Sequence, residues 1–497
     1  MRLFMSNDEL KIKSSITENR KIFEDKLGLD VSFDIGYRTI IVLGKEVDFY
    51  YVNGLVDTEF VTEILKKVIE INDFEENENK VPEIVKNRLA NHQFEEIQSV
   101  DDAATEIMSG LLVVLVDGKD KAFVVDVRNY PGRGPEEPDT ERVVRGSRDG
   151  FTENIIENAG LTRRRVRDEN LRLEIMQVGR RSKMDVSIMY IDDIADPGLI
   201  ETVRSEIEKI DVDGLSMSDK TLEEFILNQA KTPFPLVRYT ERPDVASAHL
   251  FEGHVLVMVD TSPSVMITPT TYFHHVQHAE EFRQVPFIGT FVRWVRFLGI
   301  LASLFLLPLW LLFVLEPDRL PENLAYIGPS DEGNVPIVVQ ALLADLGLEF
   351  LRIAAIHTPT AVSTALGLIA AVLIGEIAIE VGLFTPEIIL YVAIAAVGSY
   401  ATPSYELSVA NKIARMALVI LTASFGVLGL VLGMTLYALI LTRTYSLNTP
   451  YLWPLIPFNA KAMYNILFRV SVPIQERRPS IVHPQDDKRT GSGPDSE

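Results

Sequence analysis

The 497-residue chain contains no cysteine, which excludes disulfides, thiol nucleophiles and thiolate ligands for zinc or iron–sulfur centres. Basic residues are scarce: 48 Lys and Arg stand against 70 Asp and Glu, a formal net charge of -22. Such a chain repels a phosphate backbone, so nucleic acid is not an expected partner. Met1 to Arg20 is polar and charged and lacks the apolar stretch of a secretory leader, so the front of the chain is expected to stay on the side of the membrane where it is made. No glycine-rich phosphate loop is present, and Gly132-Arg133-Gly134 reads only as a turn. Ser/His/Asp, Cys/His and metal-ligand constellations are missing too. No catalytic, cofactor-binding or metal-binding residue is therefore assigned, and an enzyme is the disfavoured class.

What the chain does have is a late change of character. Phe297 to Leu315 carries no charge over 19 residues, which at 1.5 Å per helical residue nearly spans a hydrocarbon core of ~30 Å. Further apolar runs follow at Ser363 to Phe384, Ile388 to Tyr400 and Met416 to Leu441. Arg293 and Arg296 precede the first run, whereas Glu316, Asp318, Glu322, Asp331 and Glu332 follow it with only Arg319 among them. The positive-inside rule then puts the front of the chain in the cytoplasm and that loop outside. Arg443, Lys461, Arg469, Arg477 and Arg478 place the distal end inside as well, which requires an even number of crossings. Val335 to His357 is amphipathic, and Pro450 to Phe458 is apolar but broken by proline. About four to six membrane elements are expected, at least one of them re-entrant or interfacial.

The fold class that follows is a two-part cytoplasmic α/β (α+β) region before an α-helical multi-pass transmembrane domain. Residues 1–30 form a charged lead-in helix. Residues 31–170 form a first subdomain with a connector: a hairpin of Arg38 to Leu43 with Val47 to Val52, a helix from Asp57 to Ile71, an acidic break at Glu75 to Lys80, and a hairpin of Leu111 to Val116 with Lys121 to Val127. The connector sets Arg163, Arg164, Arg165 and Arg167 close together. They are read either as phosphate or RNA ligands or, in preference, as partners of acidic residues in this chain or a neighbouring copy. Residues 171–290 form a second subdomain. It holds a hairpin of Leu171 to Val178 with Met184 to Ile191, helices at Pro197 to Ile210 and Asp219 to Ala230, and strands at His249 to Leu250, His254 to Val259 and Val265 to Thr268. Its last helix puts His274 and His278 on one face beside His275, without a third ligand. The helical membrane domain occupies 291–445 and a membrane-proximal segment 446–475. The polar tail 476–497 is expected to be disordered.

Several strings together carry a family resemblance: Tyr51-Val52-Asn53-Gly54-Leu55-Val56-Asp57, the run Pro135 to Gly160, Arg163 to Asp168, Val178-Gly179-Arg180-Arg181-Ser182-Lys183, Thr240-Glu241-Arg242-Pro243-Asp244 and Ser404-Tyr405-Glu406-Leu407. In this order they resemble the GerA family, the A subunits of spore germinant receptors, from about Asp34 to Val472. Three segments depart from the typical pattern: Asp260-Thr261-Ser262-Pro263, Ser446 to Leu452, and Glu316 to Pro321. The departures put a direct nutrient-receptor role in doubt and point to a paralogous branch associated with the dipicolinic acid operon. The resemblance implies the spore inner membrane, a partner membrane protein, a part in ion release during germination, and homo-oligomeric rings, taken as pentamers, that act as ion channels.

Carboxylates in the apolar part mark where an ion path would run. Glu376 and Glu380 are four residues apart in an apolar run; each would cost roughly 2.5 to 3.5 kcal/mol at mid-bilayer unless it faces water or protein. They either line a pore or sit near the membrane surface. Asp345, Glu349 and Arg352 share a face beside a stripe of Val338, Leu342, Leu346 and Phe350, so that helix either lines a path or lies flat with internal ion pairs. Rings of such carboxylates favour cations. Gly429 and Gly433, with Gly426 nearby, form a small-residue face suited to close helix packing. The competing reading is a scaffold that assembles other germination proteins and does not conduct.

Overall fold

The computed structural model describes residues 10–74, 80–89, 94–130, 141–227, 232–320, 327–328, 334–357, 367–369 and 372–489. The acidic break at 75–79, the turn at 132–134, Glu322, Asp331 and Glu332, the start of the run at 363–366 and the tail end at 490–497 lie outside them. The chain divides into two compact units: Met1–Asn228 with Val237–Pro269 and Val472–Glu497, and Gln229–Leu236 with Thr270–Ser471.

The first unit contains one architecture twice. Its first half runs α1 (Ile16–Leu27), β1 (Ile35–Val42), β2 (Lys45–Val52), α2 (Thr58–Ile69), α3 (Ile71–Phe74), α4 (Val81–Leu89), β3 (Phe94–Ile97), α5 (Val100–Met108), β4 (Leu112–Val116) and β5 (Ala122–Val125). Its second half runs α6 (Ile155–Arg163), β6 (Leu171–Val178), β7 (Met184–Ile191), α7 (Pro197–Glu208), α8 (Ser218–Ile226), β8 (Arg238–Thr240), α9 (Pro243–Glu252), β9 (Val255–Val259) and β10 (Val265–Thr268). Each half builds a five-stranded antiparallel sheet, ordered β1-β2-β4-β5-β3 and β6-β7-β9-β10-β8, so the third strand of each takes the far edge.

Hydrogen bonds repeat with the topology. The Asn19 side chain bonds both backbone groups of Lys13 at 2.8 and 2.6 Å, and Asn158 does the same to Thr152 at 2.7 and 2.6 Å. Asp117 accepts from the Ile16 N–H at 3.3 Å and Asp260 from the Ile155 N–H at 3.2 Å, so the turn after the fourth strand caps the first helix in both halves. Gly118 N–H donates to Ser14 and Thr261 N–H to Glu153. Asp57 and Asp196 cap the helix after the first hairpin. In the first half Phe23, Leu27 and Ile107 pack on one side of the sheet, and Val61, Ile64, Val68 and Val85 on the other. With both faces covered, β4 reads Leu-Val-Val-Leu-Val and is buried throughout.

Two expectations fail here. His249 and Leu250 lie in α9 rather than a strand: Pro243 starts that helix at its first position, and Gly253 ends it in the left-handed region at φ 99°. The tail, expected to be disordered from 476, is ordered over 476–489 against the second half. Ile481 and Val482 are buried, Gln485 binds the carbonyls of Asp192 and Ala195 at 2.7 Å, and Arg478 donates to the Phe251 carbonyl at 2.8 Å.

The second unit is helical. A continuous helix covers Pro286–Leu315, with a π turn at Ala302–Leu306. Pro308 follows within the helix and cannot donate to Leu304, and the widened turn absorbs that missing bond. Helices Ile337–His357, Pro386–Tyr400 and Tyr405–Arg443 follow. Among the described residues, two stretches, Pro286–Leu315 and Tyr405–Arg443, are long and apolar enough to cross a membrane by length and composition.

The 39-residue stretch is not straight. Gly426 leaves the helical region at φ 57° and ψ -137°, and the chain reverses there. Tyr437 reaches Asn411 at 2.9 Å, and a Cβ placed on Gly433 would lie 2.6 Å from Leu418. In a straight helix residues 26 apart would be separated by about 39 Å. The stretch is therefore a hairpin of two antiparallel helices. Gly429 makes its closest approach to backbone, since a Cβ there would lie 1.9 Å from the Leu421 carbonyl oxygen. The small-residue face expected at Gly429 and Gly433 thus packs inside the hairpin.

Candidate functional site: charged side chains of the helical unit

Asp345, Glu349 and Arg352 occupy one face of the helix Ile337–His357, and the antiparallel start of Tyr405–Arg443 brings Lys412 and Arg415 against them. Arg415 donates to both oxygens of Asp345 at 3.1 and 2.5 Å and to the Ser303 carbonyl at 2.6 Å. Lys412 reaches Glu349 at 2.7 Å and Asp345 at 3.5 Å. Arg352 binds Glu349 at 2.5 Å and the Ser408 hydroxyl at 3.2 Å, and its guanidinium lies 4.9 Å from the Tyr405 ring centre. Asp345 and Arg415 are buried to 1% and 0% exposure.

Two acids therefore face three bases, leaving one net positive charge. Removing ions from water costs several kcal/mol each, and only close, multiply bonded pairing offsets that. The cluster is a brace between helices. It leaves neither Asp345 nor Glu349 as a free carboxylate, and the flat helix with only internal pairs is also corrected, because the main partners come from another helix. Lys412 and Arg415 were not singled out from the sequence. Their spacing of three residues, just before the run at Met416, is the signal that matches Asp345 and Glu349.

Glu376 and Glu380 have the opposite setting. Glu376 lies in a π turn at Leu373–Ile377 and Glu380 ends the helical turn Ala378–Glu380. Both side chains are exposed, and among the described residues neither makes an ion pair. Because the π turn changes the helical phase between them, a simple four-residue face does not apply. Glu316, counted above among the acids of the loop after the first long helix, accepts from the Val427 N–H at 3.3 Å. It caps the return helix where Gly426 breaks the chain.

The arginine cluster of the first unit separates into distinct roles. Arg163 is fully buried and donates to Asp34 at 2.8 and 3.2 Å, joining the two halves. Arg165 pairs with Asp149 at 2.5 Å, and Arg164 lies over the Tyr130 ring at 5.0 Å. Arg163 and Arg165 thus pair with acidic residues of this chain, one of the two arrangements expected, and not with those of a neighbouring copy, while Arg164 and Arg167 are exposed. The histidines do not share one helix: a helix ends at His275, and His278 caps the next, its ring accepting from the Glu280 N–H at 3.2 Å. Among the described residues no three His, Asp or Glu side chains are grouped to hold a metal ion. Arg293, counted above as a cytoplasmic charge, is buried against Glu281 at 2.7 Å, and Arg296 bonds the same carboxylate.

The profile of the family described as Bacillus/Clostridium GerA spore germination protein matches residues 21–481. The chain is 57% identical over 479 residues to stage V sporulation protein AF of Bacillus subtilis (strain 168), covering 96% of this chain and 97% of that relative. It is 30% identical to spore germination protein KA of the same organism, covering 97% and 89%. Among solved structures, the N-terminal domain of the A subunit of the Bacillus megaterium spore germinant receptor GerK3 matches 54% of this chain and 99% of its own, at 26% identity and a TM-score of 0.42.

Proposed function

The chain belongs to the Bacillus/Clostridium GerA spore germination protein family, and from that premise we propose that it is a subunit of an oligomeric cation channel. It acts in the spore inner membrane, with its first unit on the cytoplasmic side, and it releases cations from the spore core during germination. The second unit spans the bilayer several times: the break at Gly426 divides the 39-residue stretch into two crossings, and the helix carrying Asp345 runs antiparallel to the first of them. Outward apolar side chains support lipid contact, among them Leu298, Val397, Phe425 and Leu428, each more than 60% exposed. A homo-oligomer, read as a pentamer, and a partner membrane protein complete the assembly. No nucleic acid, cofactor or enzymatic step is part of the proposal.

The observation that carries the reading is the contrast between two sets of carboxylates. Asp345 and Glu349 are neutralised by Arg352, Lys412 and Arg415, whereas Glu376 and Glu380 are exposed on an apolar element. In a symmetric ring each exposed carboxylate becomes a ring of negative charge, which favours cations. Potassium efflux from germinating spores tests it: Glu376→Gln with Glu380→Gln is expected to slow efflux at unchanged protein level. Unchanged efflux removes these residues from the path.

A further inference from the structure

The segment that follows the last long helix is held at both of its ends. At the first, Glu316 meets Val427 and Phe305 lies edge-on against Tyr437 with ring centres 6.3 Å apart. The helix after Gly426 therefore runs antiparallel to Pro286–Leu315 and ends, at Arg443, on the side where that helix begins. At the second, Arg293 donates to the carbonyls of Asn465 and Ile466 at 2.8 Å, and the Trp294 indole to that of Leu467 at 2.7 Å. These are the last carbonyls of the helix Ala460–Leu467, the groups that a helix end leaves without partners. Arg469 continues the attachment, its backbone N–H donating to the Thr290 hydroxyl at 3.0 Å and its guanidinium to the Phe282 carbonyl at 2.7 Å. Both ends of 444–469 are thus fixed at one margin of the apolar helices. The short helix is about 12 Å long, against ~30 Å for a crossing, so the segment runs along that margin.

Its outward side carries aromatic rings and cations. Tyr464, Phe468 and Trp294 form a row with ring centres 4.9 and 5.4 Å apart, and Tyr464, Trp294 and Phe458 are exposed. Lys461, one turn before Tyr464 on the same helix face, is exposed, as is Arg443, and among the described residues neither makes an ion pair. No Asp or Glu stands between Glu406 and Glu476, in a chain with 70 of them. The row continues along the first helix, where Trp294, Leu298 and Leu301 share one exposed face, the face of Leu298 being read above as lipid-facing. We propose, on that membrane reading, that residues 451–469 lie flat in the cytoplasmic headgroup layer and bind anionic phospholipid. Lys461 and Arg443 meet the phosphates, and Phe458, Tyr464 and Trp294 sit at the depth where aromatic rings collect. Cations set among aromatic side chains and continuous with a lipid-facing helix make an interfacial element, and the absence of acid spares it repulsion from an anionic leaflet.

Because the chain has no cysteine, a single label can be placed at will. The full chain with bimane on Tyr464→Cys, in phosphatidylcholine liposomes, is titrated with phosphatidylglycerol carrying a doxyl quencher beside the headgroup, with phosphatidylcholine carrying the same quencher, and with aqueous iodide. Both lipids are expected to quench, phosphatidylglycerol at the lower mole fraction. Lys461→Gln should reduce that preference about fivefold, the loss for one cation at an anionic surface, and leave quenching by phosphatidylcholine unchanged. Equal quenching by the two lipids overturns the proposal. So does quenching by iodide alone, which puts the segment in water, or by none of the three, which puts it under a neighbouring copy or another protein. The same label on Leu298→Cys separates this inference from the reading it rests on: lipid quenching there with none at Tyr464 defeats the in-plane segment alone, and none at either position defeats the membrane reading too. Phe458→Cys offers a second position on the same surface should labelled Tyr464→Cys fail to fold.

Discussion

Asp345 and Arg415, 70 residues apart in the chain, form a two-point ion pair in the interior of the helical unit. Removing one partner leaves an uncompensated buried charge. Asp345→Asn is expected to cost about 3–5 kcal/mol, read as a large drop in the melting temperature of the solubilised protein. Replacing both, Asp345→Leu with Arg415→Met, should recover much of that loss. A pore-lining Asp345 would instead change flux at unchanged stability.

Gly426 adopts a backbone conformation suited to glycine alone, and a Cβ there would lie 2.1 Å from a Glu316 carboxylate oxygen. Gly426→Ala is expected to destabilise the hairpin by about 2–3 kcal/mol. Gly429→Ala should be worse than Gly433→Ala, because the first meets the Leu421 backbone and the second the flexible side-chain ends of Leu418 and Leu421. Thermal unfolding of the three variants in one detergent orders them.

Arg163 and Asp34, both fully buried, tie the two halves of the first unit together. Arg163→Ala should cost about 3–5 kcal/mol, whereas Arg167→Ala, at an exposed position, should stay within about 0.5 kcal/mol. Urea unfolding of the full chain distinguishes them. Equal effects would contradict the assignment.

His254 gives the first unit a pH dependence. Burial, opposed by its bond to the His249 carbonyl and assisted by the charge of Arg238, lowers its pKa to about 4, and the neighbouring His249 is depressed as well. Below the ordinary pKa of about 6.5 the unfolded chain takes up a proton that the folded chain refuses. Stability is therefore full above that value and falls as the pH drops from about 6.5 toward 4, by up to ~3 kcal/mol for His254 alone. Melting curves at pH 7 and pH 5 should separate, and His254→Gln should narrow the gap.

Period-two and helical patterns made much of this fold legible. The hairpins at 171–178 with 184–191 and at 112–116 with 122–125 stand close to where alternation and the Asp117-Gly118 turn put them. What escaped notice depends on partners far away in the chain. The repeat is hidden because the two halves share a hydrogen-bond skeleton, Asn19 with Asn158 and Asp117 with Asp260, more than a residue pattern. Phe94–Ile97 and Arg238–Thr240 are edge strands too short to show alternation. The partner of Asp345 is not legible from its own helix because Arg415 lies 70 positions on, at the margin of an apolar run. Gly426 read as part of one long helix because hydrophobicity does not register a reversal, although a single glycine inside such a run is a recognised breaking point.

Cation flux through the purified protein tests the central claim most directly. Reconstituted into potassium-loaded liposomes together with the membrane partner proposed above, the wild-type chain is expected to release potassium, and Glu376→Gln with Glu380→Gln to release it much more slowly. Liposomes that stay loaded despite correctly inserted oligomers and partner would contradict the channel and leave a non-conducting scaffold.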